Sequence, residues 1–151
     1  MIEYIISILL SMAPFSELRG GIAYGLAAGG DLFWIVLLCI LANILAIFIV
    51  FFFLDYVNEL FMRFSWYKLI FDKFLLRARK KVEKKVGSKW EYWALFFLVA
   101  IPLPTTGAYT GCLASWAFQL DRRKSVKAIT LGVISAGVIT TLLTLGVLNF
   151  F

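Results

Sequence analysis

Five stretches of this chain carry no charged residue: 4–16, 20–30, 32–54, 92–120 and 128–151. The hydrocarbon core of a bilayer, ~30 Å thick, takes about 20 helical residues. Residues 32–54, which contain neither proline nor glycine, predict one uninterrupted transmembrane helix. Residues 125–148 predict a second, with Lys127 close enough to its end to reach the interface. The other runs are broken. Residues 2–13 and 20–30 are too short to span, and Pro14-Phe15-Ser16-Glu17-Leu18-Arg19-Gly20 separates them. The run 92–120 is interrupted by Ile101-Pro102-Leu103-Pro104-Thr105-Thr106-Gly107. Proline has no N–H to donate and clashes with the preceding turn, so Pro14, Pro102 and Pro104 act as structural hairpin breaks. Ser16, and Thr105 or Thr106, are the expected N-caps of the helices that restart. The pattern predicts two hairpins of half-helices, 2–29 and 92–118.

The order half-helix, break, half-helix, polar loop, full helix occurs twice, over 2–54 and 92–148. Small residues recur every fourth position after each break: Gly21, Gly25 and Gly29, then Gly107, Gly111 and Ser115, at an offset of 86 residues. Pro14 and Pro102 are 88 apart. The last helix has a stripe of its own: Ala128, Gly132, Ala136, Thr140 and Thr144. Such stripes let helix backbones approach closely in lipid, although glycine is frequent in membrane helices generally.

Charge then sets orientation. Ten of the 15 basic residues lie within 55–90, and Arg122, Arg123, Lys124 and Lys127 follow the second hairpin. The positive-inside rule makes 55–90 and 119–127 cytoplasmic. The segment between them must then leave and return on one side. This predicts a hairpin re-entrant from the cytoplasm at 92–118, its counterpart at 2–29 re-entrant from outside, and both termini outside. The expected fold is a single all-α integral membrane domain over 1–151: an inverted repeat of two re-entrant hairpins and two full transmembrane helices in the cell membrane. Within 55–90, Tyr67, Ile70, Phe71, Phe74, Leu75, Ala78 and Val82 fall at helical spacing, opposite Arg77, Arg79, Lys80, Lys81, Lys84 and Lys85. That predicts a cytoplasmic amphipathic basic helix on the inner membrane surface, with anionic lipid headgroups as partners. Trp34, Trp66, Trp90 and Trp93 sit where interfacial aromatic belts are expected.

Composition agrees: 62% of residues are hydrophobic and 16% charged, and mean hydropathy is +0.92, against about 25% charged residues in a soluble domain. The net charge of +6 is explained by topology, so nucleic acid is not an expected partner. The chain has no histidine, the most usual metal ligand and general base. Cys39 and Cys112 lie inside apolar runs and read as small hydrophobes. No metal, cofactor or enzymatic chemistry is expected.

The candidate site is the pair of breaks. Glu17 and Arg19 fall near the expected membrane midplane, where an ionised residue costs about 2.5–3.5 kcal/mol and is a functional candidate by default. Two positions apart, they point to different sides of a helix, so each needs a partner elsewhere. Glu17 suits a proton or cation site. Arg19 can hold a phosphate or carboxylate with its planar fork. Beside them stand Ser16 and Gly20, and the second break offers Thr105, Thr106, Gly107 and Tyr109, with hydroxyls and backbone N–H groups at a helix start suited to an anion. Tyr24 is a further candidate lining residue. Asn43, Asp31 and Asp55 rank second, Asn43 as helix-to-helix glue. Matching breaks in two halves are a pointer to a midplane substrate site.

The stretches Pro14-Phe15-Ser16-Glu17-Leu18-Arg19-Gly20-Gly21-Ile22 and Ile101-Pro102-Leu103-Pro104-Thr105-Thr106-Gly107-Ala108-Tyr109-Thr110-Gly111 resemble the two signature stretches of the small multidrug export family, itself similar to the wider DedA superfamily. Ala23 and Thr105 depart from the family pattern, which often has proline and glycine there. The resemblance implies opposed re-entrant hairpins and proton-coupled or facilitative translocation of an anionic lipid carrier of the polyprenyl-phosphate type, with acidic and arginine residues in the hairpin region. The alternatives are an exporter of small amphipathic or cationic compounds and a non-transporting membrane scaffold. A homodimer is an expected partner arrangement, since re-entrant backbone must be buried in protein or line water.

Overall fold

The structure, a computed structural model, describes residues 1–87, 90–101 and 106–150. Pro102, Pro104 and Thr105 lie outside the described residues, as do the side chains of Lys81, Val82 and Lys85. Among the described residues eight α-helices follow one another: α1 (Ile2–Met12), α2 (Glu17–Ala27), α3 (Leu32–Phe52), α4 (Asn58–Phe61), α5 (Ser65–Val82), α6 (Glu91–Ala100), α7 (Ala108–Ala117) and α8 (Arg122–Phe150).

Among the described residues two helices are long and apolar enough to cross a membrane, Leu32–Phe61 and Arg122–Leu148. The first runs past its expected end at residue 54: a π-helical turn, Phe53–Val57, joins α3 to α4 without breaking the rod. α1, α2, α6 and α7 have 11, 11, 10 and 10 residues, about 16 Å or less at 1.5 Å per residue, half of what a span needs. α1 and α6 stop where the sequence predicts. Ala13 (ψ 137°) and Ile101 (ψ 120°) are extended, the conformation forced on a residue that precedes proline.

The core is built where these helices meet. α1 packs on α2 and α3, as α6 packs on α7 and α8; α2 also crosses to α8, and α7 to α3. Exchanging α1, α2 and α3 with α6, α7 and α8 leaves this set of packed pairs unchanged. Ile22, Ile35, Cys39, Ile47, Val99, Cys112, Ile129 and Val133 fill the centre. Close approach is real at Gly21 and Gly25, where a Cβ would overlap Ser11 or the Ser7 backbone and Ile35. Asn43, buried in α3, donates to the Ser11 carbonyl at 2.7 Å, the glue role its position suggests.

The ends of α2 and α7 and the starts of α3 and α8 share a capping pattern. α2 ends at Gly29 (φ 82°) with Gly30 N–H donating to Gly25 O; α7 ends at Gln119 (φ 51°) with Leu120 N–H donating to Ser115 O. Asp31 then caps α3 through the Trp34 N–H, and Asp121 caps α8 through the Lys124 N–H. Each pair is 90 residues apart, a spacing that also separates Gly21 from Gly111 and Gly25 from Ser115. A stripe with period four looks the same after a shift of one helical turn, so the offset of 86 and the spacing of 90 both fit it.

α5 does not lie apart from the bundle. It packs on α7 and α6, burying Phe71 and Ala78. Phe71 sets its ring edge-on to Trp116, and Arg79 donates to Ala117 O at 3.2 Å while lying over the Phe118 ring. Tyr67 donates to Asn58 Oδ1 at 3.0 Å, fixing the start of α5 to α4; burial pushes its phenol above the usual tyrosine range.

Candidate functional site

The two breaks meet. Ser16 occupies the N-cap position of α2, but its hydroxyl makes no capping bond and instead donates back to Leu10 O at 2.6 Å. Behind it Gly20 leaves room for Ser16, whose Cβ would lie 2.6 Å from any Cβ at that position. Glu17 stands at φ +48°, a left-handed conformation that costs an L-residue about 1–2 kcal/mol. The turn sets its carboxylate against the second break at Gly107, the N-cap residue of α7. A carboxylate at a helix N-terminus meets the positive end of the dipole. Gly107, at φ +153°, packs so tightly beneath it that a Cβ would overlap the Glu17 carboxyl group.

Arg19 reaches the same place by another route. Its Nη2 donates to Thr106 O at 3.0 Å, with longer contacts to Thr106 Oγ1 at 3.4 Å and Ile101 O at 3.5 Å. The Thr106 hydroxyl donates to Ile101 O at 3.1 Å. Tyr109 closes the junction by donating its hydroxyl to Met12 O, the last residue of α1. Arg19 thus bonds to the opposite tip at Thr106, and Glu17 packs against it at Gly107.

A cleft of about 1,280 Å³ opens onto this junction. Ser16, Glu17, Arg19, Thr106 and Tyr109 line its polar end. Its apolar walls come from Ile49, Val50 and Phe53 of the long helix and from Ile70 and Phe74 of α5. The sequence points to α5 as a surface helix and not to the cleft, yet Arg77 and Lys80 are among the residues that line it. They were placed opposite the apolar residues, yet 70, 74, 77 and 80 follow one helical stripe, a signal present in their spacing. Tyr24 is 38% exposed and is not among the lining residues. Pro14 lines the cleft at its rim, while Gly107 lies buried beneath the junction. Asp31 is the α3 cap, and Asp55 in the π turn pairs with Arg122 at 2.9 Å. Arg122 also lies 4.0 Å over the Phe51 ring, so these two fasten α8 to the long helix outside the cleft. Cys39 and Cys112 are both free and fully buried.

No solved structure and no curated protein matches this chain. A family model described as "Putative small multi-drug export protein" matches residues 17–139. The matched segment begins at Glu17 and runs through the long helix, α5 and the second break into α8, so it contains both partners of the tip junction and the cleft walls. The chain belongs to this small multi-drug export family.

Proposed function

We propose that this membrane protein carries an anionic amphiphile, of the polyprenyl-phosphate type implied by the DedA likeness, across the cell membrane through the cleft at the two breaks. One observation carries this reading: a single cleft joins three cations, Arg19, Arg77 and Lys80, and one carboxylate, Glu17, to a long apolar wall. That lining fits a charged head on an apolar chain.

The architecture supports it. Helix pairs too short to span act as re-entrant hairpins, and the exchangeable packing and the 90-residue offset of equivalent caps favour an inverted repeat. The long helix then carries the chain inward and α8 carries it back out, with 55–90 and 119–127 cytoplasmic. Arg19 is the anion clamp. Glu17 links the two hairpins while ionised, and a proton on it weakens its hold on the α7 N-terminus, which couples proton uptake to separation of the tips.

In proteoliposomes the protein is expected to move a labelled polyprenyl phosphate, and Arg19→Ala to abolish that movement. Unchanged flux in the variant removes Arg19 from the mechanism. A second reading, export of lipophilic cations held at Glu17, is favoured by the family description. It predicts cation flux that Glu17→Gln abolishes and Arg19→Ala spares. If both substitutions together leave cellular function normal, the protein is a scaffold and neither transport reading stands.

A further inference from the structure

The cleft side of α5 has an order along the helix. Tyr67, Ile70 and Phe74 line the cleft from its N-terminal half, and Arg77 and Lys80 from its C-terminal half. Spacings of three and four place them on one stripe, and Ile70 to Lys80 spans about 15 Å at 1.5 Å per residue. Phe71, which also borders the cleft, and Ala78 are buried towards the bundle, and Lys73 is exposed and absent from the cleft lining. The helix is thus polarised lengthwise on its cleft side, apolar then basic, and not only around its circumference.

We infer that α5 is a wall of the substrate site, with Arg77 and Lys80 selecting an anionic headgroup at the cleft mouth while Ile70 and Phe74 take the adjoining apolar chain. This inference rests on the transport reading above and adds residues to it: the substrate's head is held first at Arg77 and Lys80 and passes inward to Arg19. A helix serving only as a surface anchor draws on every basic residue of its length, because attraction to anionic lipid sums over all of them. A selective wall draws on the two that line the cleft.

The full chain in nanodiscs of zwitterionic lipid separates these. Equilibrium binding of dodecyl phosphate, dodecanol and inorganic phosphate is measured for wild type, Arg77→Gln/Lys80→Gln and Lys73→Gln, with melting curves confirming that each variant folds. The double variant is expected to bind dodecyl phosphate at least tenfold more weakly, with dodecanol affinity unchanged and Lys73→Gln within twofold of wild type. Inorganic phosphate at the same concentration is expected to compete poorly, because the apolar wall contributes to binding. Equal losses in the double variant and Lys73→Gln overturn the proposal in favour of a surface anchor. Full competition by inorganic phosphate overturns the paired head-and-chain site in favour of a free-anion site. If wild type transports polyprenyl phosphate and the double variant matches it in binding and flux, the inference about α5 fails alone. If wild type neither binds nor moves any lipid phosphate, the transport reading fails and takes this inference with it.

Discussion

Glu17 and Gly107 depend on one another more closely than any other pair in the site. A methyl group at 107 would overlap the Glu17 carboxyl group, and φ +153° is itself unfavourable for an L-residue. Gly107→Ala should therefore lower stability by at least about 1–3 kcal/mol and abolish transport. Gly146→Ala, where a Cβ meets nothing within 4 Å, should leave the melting temperature unchanged or slightly raised. Thermal melts of the two variants side by side check this. Glu17 and Arg19 were legible in the sequence because charge inside an apolar run is costly. Their partners were not, because the contact with Gly107 and Thr106 depends on how two segments some 90 positions apart come together. Local spacing carries no trace of that.

Among the elements, the caps of the two long helices invite direct comparison. Asp31 and Asp121 each accept an N–H three residues on, at 3.2 and 2.9 Å. Replacing either with alanine should cost about 1 kcal/mol, and similar losses in the two variants would fit equivalent positions in two related halves. The Asp55–Arg122 pair makes a sharper contrast. Its side chains are 33% and 43% exposed, so Asp55→Asn should cost no more than about 1 kcal/mol. Arg122→Ala also removes the guanidinium from the Phe51 ring and should cost measurably more in the same denaturation assay. Helix positions were readable because hydrophobic run length and proline breaks act locally. A four-residue stripe cannot distinguish one turn from the next, so spacings of 86 and 90 are both compatible with it. The side of α5 that faces the cleft was hidden because helical periodicity reports which residues share a face, not which neighbour that face meets.

At the scale of the whole molecule the orientation of the second hairpin governs everything else. Both native cysteines are fully buried, so single cysteines introduced at Lys73 and Arg123, both exposed positions, should report against a quiet background. Impermeant thiol reagents are expected to label both from the cytoplasmic side. Labelling of position 123 from outside would make 92–118 a kinked span and dissolve the inverted arrangement with it.

Residues 17 and 107, one from each break and 90 positions apart in the sequence, touch. Two identical tips brought together in this way would set like against like: either two carboxylates repelling each other, or two glycines with nothing to hold them. One tip supplies the acid and the other a bare backbone cradle, a division of labour that identical tips cannot achieve. Two breaks carried by one polypeptide are free to differ in this way.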